Sequence, residues 1–170
     1  MMFKFLSKNF YISFSIVTLI YFLDRLTKIF VIQLDKNNLG SDIFNSAYLN
    51  IALIWNKGIA FGLFSFNEVH LYNILSLIIS IIVVILVIMS LKSKGFKRYL
   101  LLMIVGGALG NLHDRIFFNA VPDFIDFHVG NFHWFIFNVS DIFITLGVIS
   151  MIVLELADNK TEKQNNDKKY

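Results

Sequence analysis

Cysteine is absent from the 170-residue chain. Without thiols there is no disulfide, no thiolate nucleophile, no cysteine-ligated metal centre, and no sulfur on this chain to carry a lipid. Proline occurs once, at Pro122, and glycine nine times. No Pro- or Gly-rich linker and no internal repeat divides the sequence, which reads as a single domain over residues 1–158 with a polar tail at 159–170. Charge is also scarce. Asp, Glu, Lys and Arg make up 16% of the residues and hydrophobic residues 56%, with a mean hydropathy of +0.67. Soluble domains carry about 25% charged residues, so the solvent implied here is a lipid bilayer.

What is present in quantity is long apolar runs. Residues 71–91, which include "ILSLIISIIVVILVIMSL", contain no charge and match the roughly 20 residues needed to cross the hydrocarbon core. A soluble helical bundle would show a polar stripe on such a helix, and this one shows almost none. Three more segments complete a set of four expected spans, at about 10–34, 69–91, 99–118 and 135–156. The first carries Asp24, Arg25 and Lys28, the third Asp114 and Arg115, and the fourth Asp141 near its start.

Basic residues set the orientation. Lys4 and Lys8 precede the first span, "LKSKGFKRY" joins the second and third, and "DNKTEKQNNDKKY" follows the fourth. Positive segments remain cytoplasmic, which puts both termini inside. The connections at 35–68 and 119–134 hold only Lys36 and Lys57 between them and belong outside. The net charge of +3 is thereby explained by anionic lipid, and nothing points to nucleic acid. The N-terminal apolar run has no small-residue cleavage site after it, "LDRLTK" following instead, and reads as a retained span. The long outer connection alternates β-branched and aromatic residues with turn formers, which predicts short strands on the membrane surface. The fold class expected is an all-α membrane protein, four transmembrane helices with a small β-rich extracytoplasmic loop region.

Asp24 and Lys28 are four apart on a helix and can pair, Lys28 snorkelling toward the interface. Gly106 and Gly110 have the small-xxx-small spacing of closely packed membrane helices. Asn111 and Arg115 share a helix face, and an arginine at that depth needs a partner, which Asp114 or the downstream aspartates offer. In "WNKGIAFGLF", Asn56 can bond a substrate backbone, while Gly58 and Gly62 permit tight geometry.

Asp123, after the third span, and Asp141, at the top of the fourth, can meet at one depth. Two adjacent carboxylates share a proton and serve as base toward water and acid toward a leaving amine. The alternatives are that Asp141 caps the last helix and that Asp123 and Asp126 are solvated loop residues. Rival chemistries are missing: there is no GxSxG and no HExxH, and His70, His113, His128 and His133 have no metal-ligand spacing. A small ion transporter and an inactive scaffold remain as competing classes. The collection of charges toward one side of the spans speaks against the transporter.

Taken together and in this order, "DRLTK" (24–28), "NKGIAFG" (56–62), "GGALGNLHDR" (106–115) with "VPDFIDF" (121–127), and "FNVSD" (137–141) resemble the lipoprotein signal peptidases, or signal peptidase II. The resemblance covers nearly the whole chain. It implies an aspartic endopeptidase of the bacterial inner membrane, acting as a monomer without cofactor or metal. Such an enzyme removes signal peptides from diacylglyceryl-modified prolipoproteins by cleaving N-terminal to the lipidated cysteine. On the matching positions the catalytic pair is Asp123 and Asp141. Asn111, Arg115, Asn138, Asn56, Gly58, Asp24 and Lys28 fall on substrate-binding or supporting positions, and Asp114 and Asp126 on structural ones. Three letters depart from the usual pattern: Asn119 for glycine, Pro122 for an aliphatic, and Ser140 for alanine. Phe61, Phe64 and Phe66 are expected to let the outer loop clamp over the substrate.

Overall fold

The computed structural model describes residues 8–38, 42–58 and 69–167, so Phe61, Gly62, Phe64 and Phe66 lie outside the described residues. Four long helices and a four-stranded antiparallel sheet follow in the order α1 (Lys8–Asn37), β1 (Phe44–Asn45), β2 (Leu49–Asn56), α2 (Val69–Lys92), α3 (Gly95–Phe118), β3 (Val121–Val129), β4 (Phe132–Phe137) and α4 (Val139–Asp167). The helix in α4 continues past the expected end of its span, through the polar segment to Asp167.

Among the described residues, three helical stretches are long and apolar enough to cross a membrane: His70–Lys92, Gly95–Phe118 and Val139–Asp158. These correspond to the second, third and fourth expected spans, while the first, at about 10–34, falls on α1, whose Asp24, Arg25 and Lys28 lower its hydropathy. Exposed Ile74, Leu77, Ile81, Ile85 and Ile88 on α2, with Phe14, Phe22, Leu26 and Phe30 on α1, form outer surfaces that water would not tolerate. The protein is a membrane protein on these grounds.

Helix α3 is the centre of the bundle and packs against α1, α2 and α4. Its sequence explains the position. A Cβ on Gly107 would stand 2.5 Å from the Ser140 carbonyl oxygen. One on Gly110 would stand 2.6 Å from Asp24 Oδ2 and collide with Ser140 Oγ. Only hydrogen fits, so α3 approaches α4 and α1 closely. A Cβ on Gly106 would likewise stand 2.9 Å from Ile20 Cβ, and the packing role expected of both Gly106 and Gly110 is what the structure contains.

At the opposite end from the sheet, α2 and α3 are joined by Ser93 and Lys94 alone. There Arg98 donates to Ser13 Oγ at 2.7 Å, and Lys97 pairs with Glu155, tying the start of α3 to α1 and α4.

The sheet runs in the order β1-β2-β3-β4. Strands expected in the first outer connection are present as β1 and β2. The second connection differs from a short loop: residues 121–137 form a hairpin, and residues 135–137, assigned to the fourth span from hydropathy, belong to β4. "FHWFIF" is apolar enough to extend a hydropathy window, but it pairs with β3, Val129 opposite Phe132 and Ile125 opposite Phe137. The two-residue loop starts at Gly130 with φ +58°, the position that a type II′ hairpin gives to glycine. Helix α3 ends on Asn119 in the left-handed region, φ 53°, a conformation asparagine tolerates better than most residues. That turn sends the chain directly into β3.

Candidate active site

Four charged side chains from two helices form the floor of the site. Asp24, Lys28 and Asp114 are fully buried and Arg25 is 8% exposed. Lys28 Nζ lies 2.9 Å from Asp24 Oδ2 and 2.7 Å from Asp114 Oδ2. Arg25 Nη2 donates to Asp24 at 2.9 Å and to Asp114 at 2.7 Å. Two cations against two carboxylates leave no net charge, the condition under which such groups survive in a membrane interior. The pairing of Asp24 with Lys28 is as expected, but Lys28 does not snorkel. Its ammonium has three acceptors inside the protein and no need of water. Arg25 escapes notice in the sequence as a component, because its partner Asp114 is 89 residues away.

Above this floor stand three asparagines. Lys28 donates to Asn111 Oδ1 at 2.9 Å, and Asn111 Nδ2 donates to Asp141 Oδ1 at 2.8 Å. Asn138 Oδ1 accepts the Asp141 backbone N–H at 3.1 Å, and its Nδ2 donates to Asp123 Oδ1 at 2.6 Å. Asn56 Oδ1 accepts the Gly58 N–H at 2.7 Å, and its Nδ2 donates to Asp123 Oδ2 at 2.8 Å. In each case a pure donor occupies the amide oxygen, so the NH₂ end is the one left for a carboxylate.

Asp141 and Asn138 also form a reciprocal cap. The Asn138 N–H donates to Asp141 Oδ2 at 3.1 Å, the two-way arrangement of a capping box at the start of α4. The capping role and the pairing with Asp123 are therefore not exclusive. One oxygen of Asp141 caps while the other faces Asn111.

Asp123 reaches the same place from β3, where it stands opposite Ile54. It is 3% exposed and Asp141 6%. Burial, followed by the neighbouring Asp141 charge, pushes the Asp123 carboxyl up to about 6, against the opposing pull of the Asn138 and Asn56 amides. A carboxyl with that affinity holds a proton near neutral pH far more often than a solvated one.

Arg115 does not pair with Asp114. Its Nη1 donates to the Asn111 carbonyl at 3.1 Å and its Nη2 to the Gly58 carbonyl at 3.0 Å, so its fork fastens the segment after β2 to α3. Buried Tyr72 on α2 lies close enough to interact electrostatically with Arg115 and gives no signal in the sequence. Asp126 stands apart from the carboxylate pair, beside His133 and Asn50. His113, which the sequence leaves without a task, bonds Tyr21 through Nδ1 at 2.9 Å and packs on Phe117. An apolar groove lined by Trp134, Phe135, Phe137, Ile142, Thr145 and Leu146 opens at Asp141. The arrangement, a buried carboxyl of raised proton affinity at Asp123 joined through Asn138 to a second buried carboxyl, Asp141, that lines an apolar groove, suits hydrolysis of a peptide bond presented from the membrane.

The chain is similar to known proteins over most of its length. Residues 16–157 match the family model described as signal peptidase (SPase) II. The lipoprotein signal peptidase of Pelagibacter ubique (strain HTCC1062) is 46% identical over 161 residues, 95% of this chain and 96% of its own. That of Anaplasma phagocytophilum (strain HZ) is 44% identical over 137 residues, 79% of this chain and 85% of its own. Among solved structures, a bacterial membrane enzyme determined in meso at 2.3 Å resolution superimposes with a TM-score of 0.69 at 28% identity, covering 89% of this chain and 90% of its own.

Proposed function

Because the chain belongs to the signal peptidase II family and is a peptidase, we propose that it removes the signal peptide from diacylglyceryl-modified prolipoproteins. It cuts N-terminal to the lipidated cysteine, using Asp123, Asp141 and one water. One observation carries the assignment. Asp123 and Asp141 arrive on different elements, both are buried, and both are bonded to Asn138.

Asp123 holds the shared proton and Asp141 is the base. The Asp141 carboxylate takes a proton as water attacks the scissile carbonyl. Asp123 donates to the developing oxyanion, and a proton then passes to the leaving amine. Asn111, Asn138 and Asn56 aim their NH₂ groups at the dyad and fix its geometry. Arg115 and Gly58 hold the segment that carries Asn56, and Asp24 and Lys28 brace Asn111 from below. Asp114 and Asp126 support structure. The diacylglyceryl chains lie among the helices, entering by the groove at Trp134 and Leu146.

Helix α1 is the fourth span: its 30 residues reach about 45 Å, and its charges are neutralised within the bundle. Both termini are cytoplasmic, and the sheet, built from the two connections poor in Lys and Arg, lies on the extracytoplasmic face of the inner membrane. Residues 1–158 act as one peptidase domain, as a monomer among membrane lipids, with 159–170 as a cytoplasmic tail.

The test is processing of a diacylated preprotein by purified wild type and by the Asp123→Asn and Asp141→Asn variants. Each variant is expected to lose activity by about 10³-fold or more while still extracting as a folded protein. Undiminished processing by the double variant removes the dyad and returns the scaffold reading. An unlipidated preprotein is expected to be a poor substrate, and equal cleavage of both forms removes the lipid requirement.

A further inference from the structure

The β3–β4 hairpin brings together three residues that sequence spacing keeps apart. Asp126 and His128 are two apart on β3 and so share a face of the strand. His133 stands directly opposite His128 across the ladder. The result is a cluster in which one ligand atom from each of Asp126, His128 and His133 lies within 4.8 Å of the others. His133 Nδ1 is 2.8 Å from Asp126 Oδ2, and the two imidazoles stack at 5.0 Å between centroids.

The cluster contains unmet polar atoms. Asp126 Oδ1, His128 Nδ1 and Asn50 Oδ1 are all buried without a hydrogen-bond partner among the described residues. Asn50 stands opposite Asp126 in the adjoining strand, and its Nδ2 donates to Asp126 Oδ2 at 3.3 Å. Asp126 itself is 5% exposed. Several unsatisfied oxygen and nitrogen atoms gathered in one buried place are costly unless something positive completes them. His133, its side chain 51% exposed, leaves an approach from solvent.

We propose that Asp126, His128 and His133 form a binding site for a divalent transition-metal ion of the zinc class. Two imidazoles and a carboxylate are ligands that Zn²⁺ accepts, and hard ions such as Mg²⁺ prefer all-oxygen sites. At bond lengths near 2.0–2.2 Å, tetrahedral ligands stand about 3.4 Å apart, so movement of about an ångström closes the cluster on the ion. Asn50 supplies a bond to the ligating carboxylate, the outer contact such sites use. A bound ion ties β3 to β4 and braces the strand that carries Asp123, three residues before Asp126. The site is separate from the dyad and does not depend on the peptidase assignment.

Titration of ZnCl₂ into tag-free, chelator-stripped full-length protein in detergent, followed calorimetrically, tests this. One equivalent is expected to bind to wild type. His128→Gln and His133→Gln are each expected to weaken binding about tenfold or more, and the remote His70→Gln is not. Absence of stoichiometric binding to wild type, or equal binding by all variants, overturns the proposal and leaves water as the occupant. Chemical protection probes the same site without substitutions. Zinc is expected to protect His128 and His133, but not His70, from diethylpyrocarbonate, as mapped by mass spectrometry. Unprotected His128 and His133, or equal protection of His70, overturns it.

Discussion

Lys28 Nζ lies 2.9 Å from Asn111 Oδ1, and this contact determines which end of the amide meets Asp141. An ammonium can only donate, so the oxygen must face Lys28 and the NH₂ must face the carboxylate. A charge buried in the first helix thus sets the hydrogen bonding of a group in the last one, through the Asn111 amide between them.

Replacing Lys28 with Met is expected to remove that constraint and to leave Asp24 and Asp114 with one cation between them. Breaking a buried ionic cluster in this way costs about 3–5 kcal/mol. Thermal unfolding in detergent should show a large drop in Tm, and activity should fall with it. The Arg variant should not restore either, because the Lys28 side chain has no exposed surface into which a larger group could extend.

The proton affinity of Asp123 predicts two pH effects of defined sign. Its folded-state pKa of about 6 exceeds the unfolded value of about 3.9, so the folded protein binds this proton more tightly. The associated stability is fully present below about pH 4 and is lost as pH rises through about 6. The Tm of wild type should therefore fall between pH 5 and 7, by more than that of Asp123→Asn. With Asp123 as the proton donor, the rate of processing should decline on the alkaline side of the same pKa, measured as kcat against pH with a lipidated peptide.

Gly110 and Ser140 face one another across the α3–α4 contact, and opposite outcomes are expected for them. Gly110→Ala introduces a methyl into Ser140 Oγ and Asp24 and should cost about 1–3 kcal/mol, shifting α4 and with it Asp141. Ser140→Ala removes a buried hydroxyl without a partner and should be neutral or stabilising by about 1 kcal/mol. Paired thermal melts and turnover assays on the two variants distinguish these results.

Arg115→Lys keeps the charge but not the fork. A single ammonium cannot hold the Asn111 and Gly58 carbonyls as the guanidinium does. The segment bearing Asn56 should loosen, with kcat/KM for a lipidated substrate falling about 10- to 100-fold and Tm changing little.

The sequence contains most of the site because polar letters in an apolar chain are conspicuous. Asp24, Lys28, Asn111, Asp114, Arg115, Asp123 and Asp141 all stand out on that ground alone. Their partners are harder to assign. Arg115 is expected to need a carboxylate and finds two carbonyls, since backbone acceptors are invisible in a list of side chains. Asp114 goes instead to Arg25 and Lys28, which only the approach of α1 to α3 brings within reach. The β3–β4 hairpin is hidden for a different reason. "FHWFIF" has the hydropathy of a span, and strand pairing with β3, not composition, decides its conformation. His128 and His133 become neighbours by that pairing as well.

Strand β2 pairs with β3, although α2 and α3 lie between them in the chain. The consequence concerns biogenesis. Asn56 emerges from the ribosome long before Asp123 does, and neither can find the other until the intervening pair of helices has been inserted and has returned the chain to the same side. Contacts of such sequence separation form late, after the cost of closing the long loop has been met. On the proposed assignment of Asp123 and Asp141, hydrolytic competence is thereby withheld from partial translation products, which lack the assembled dyad.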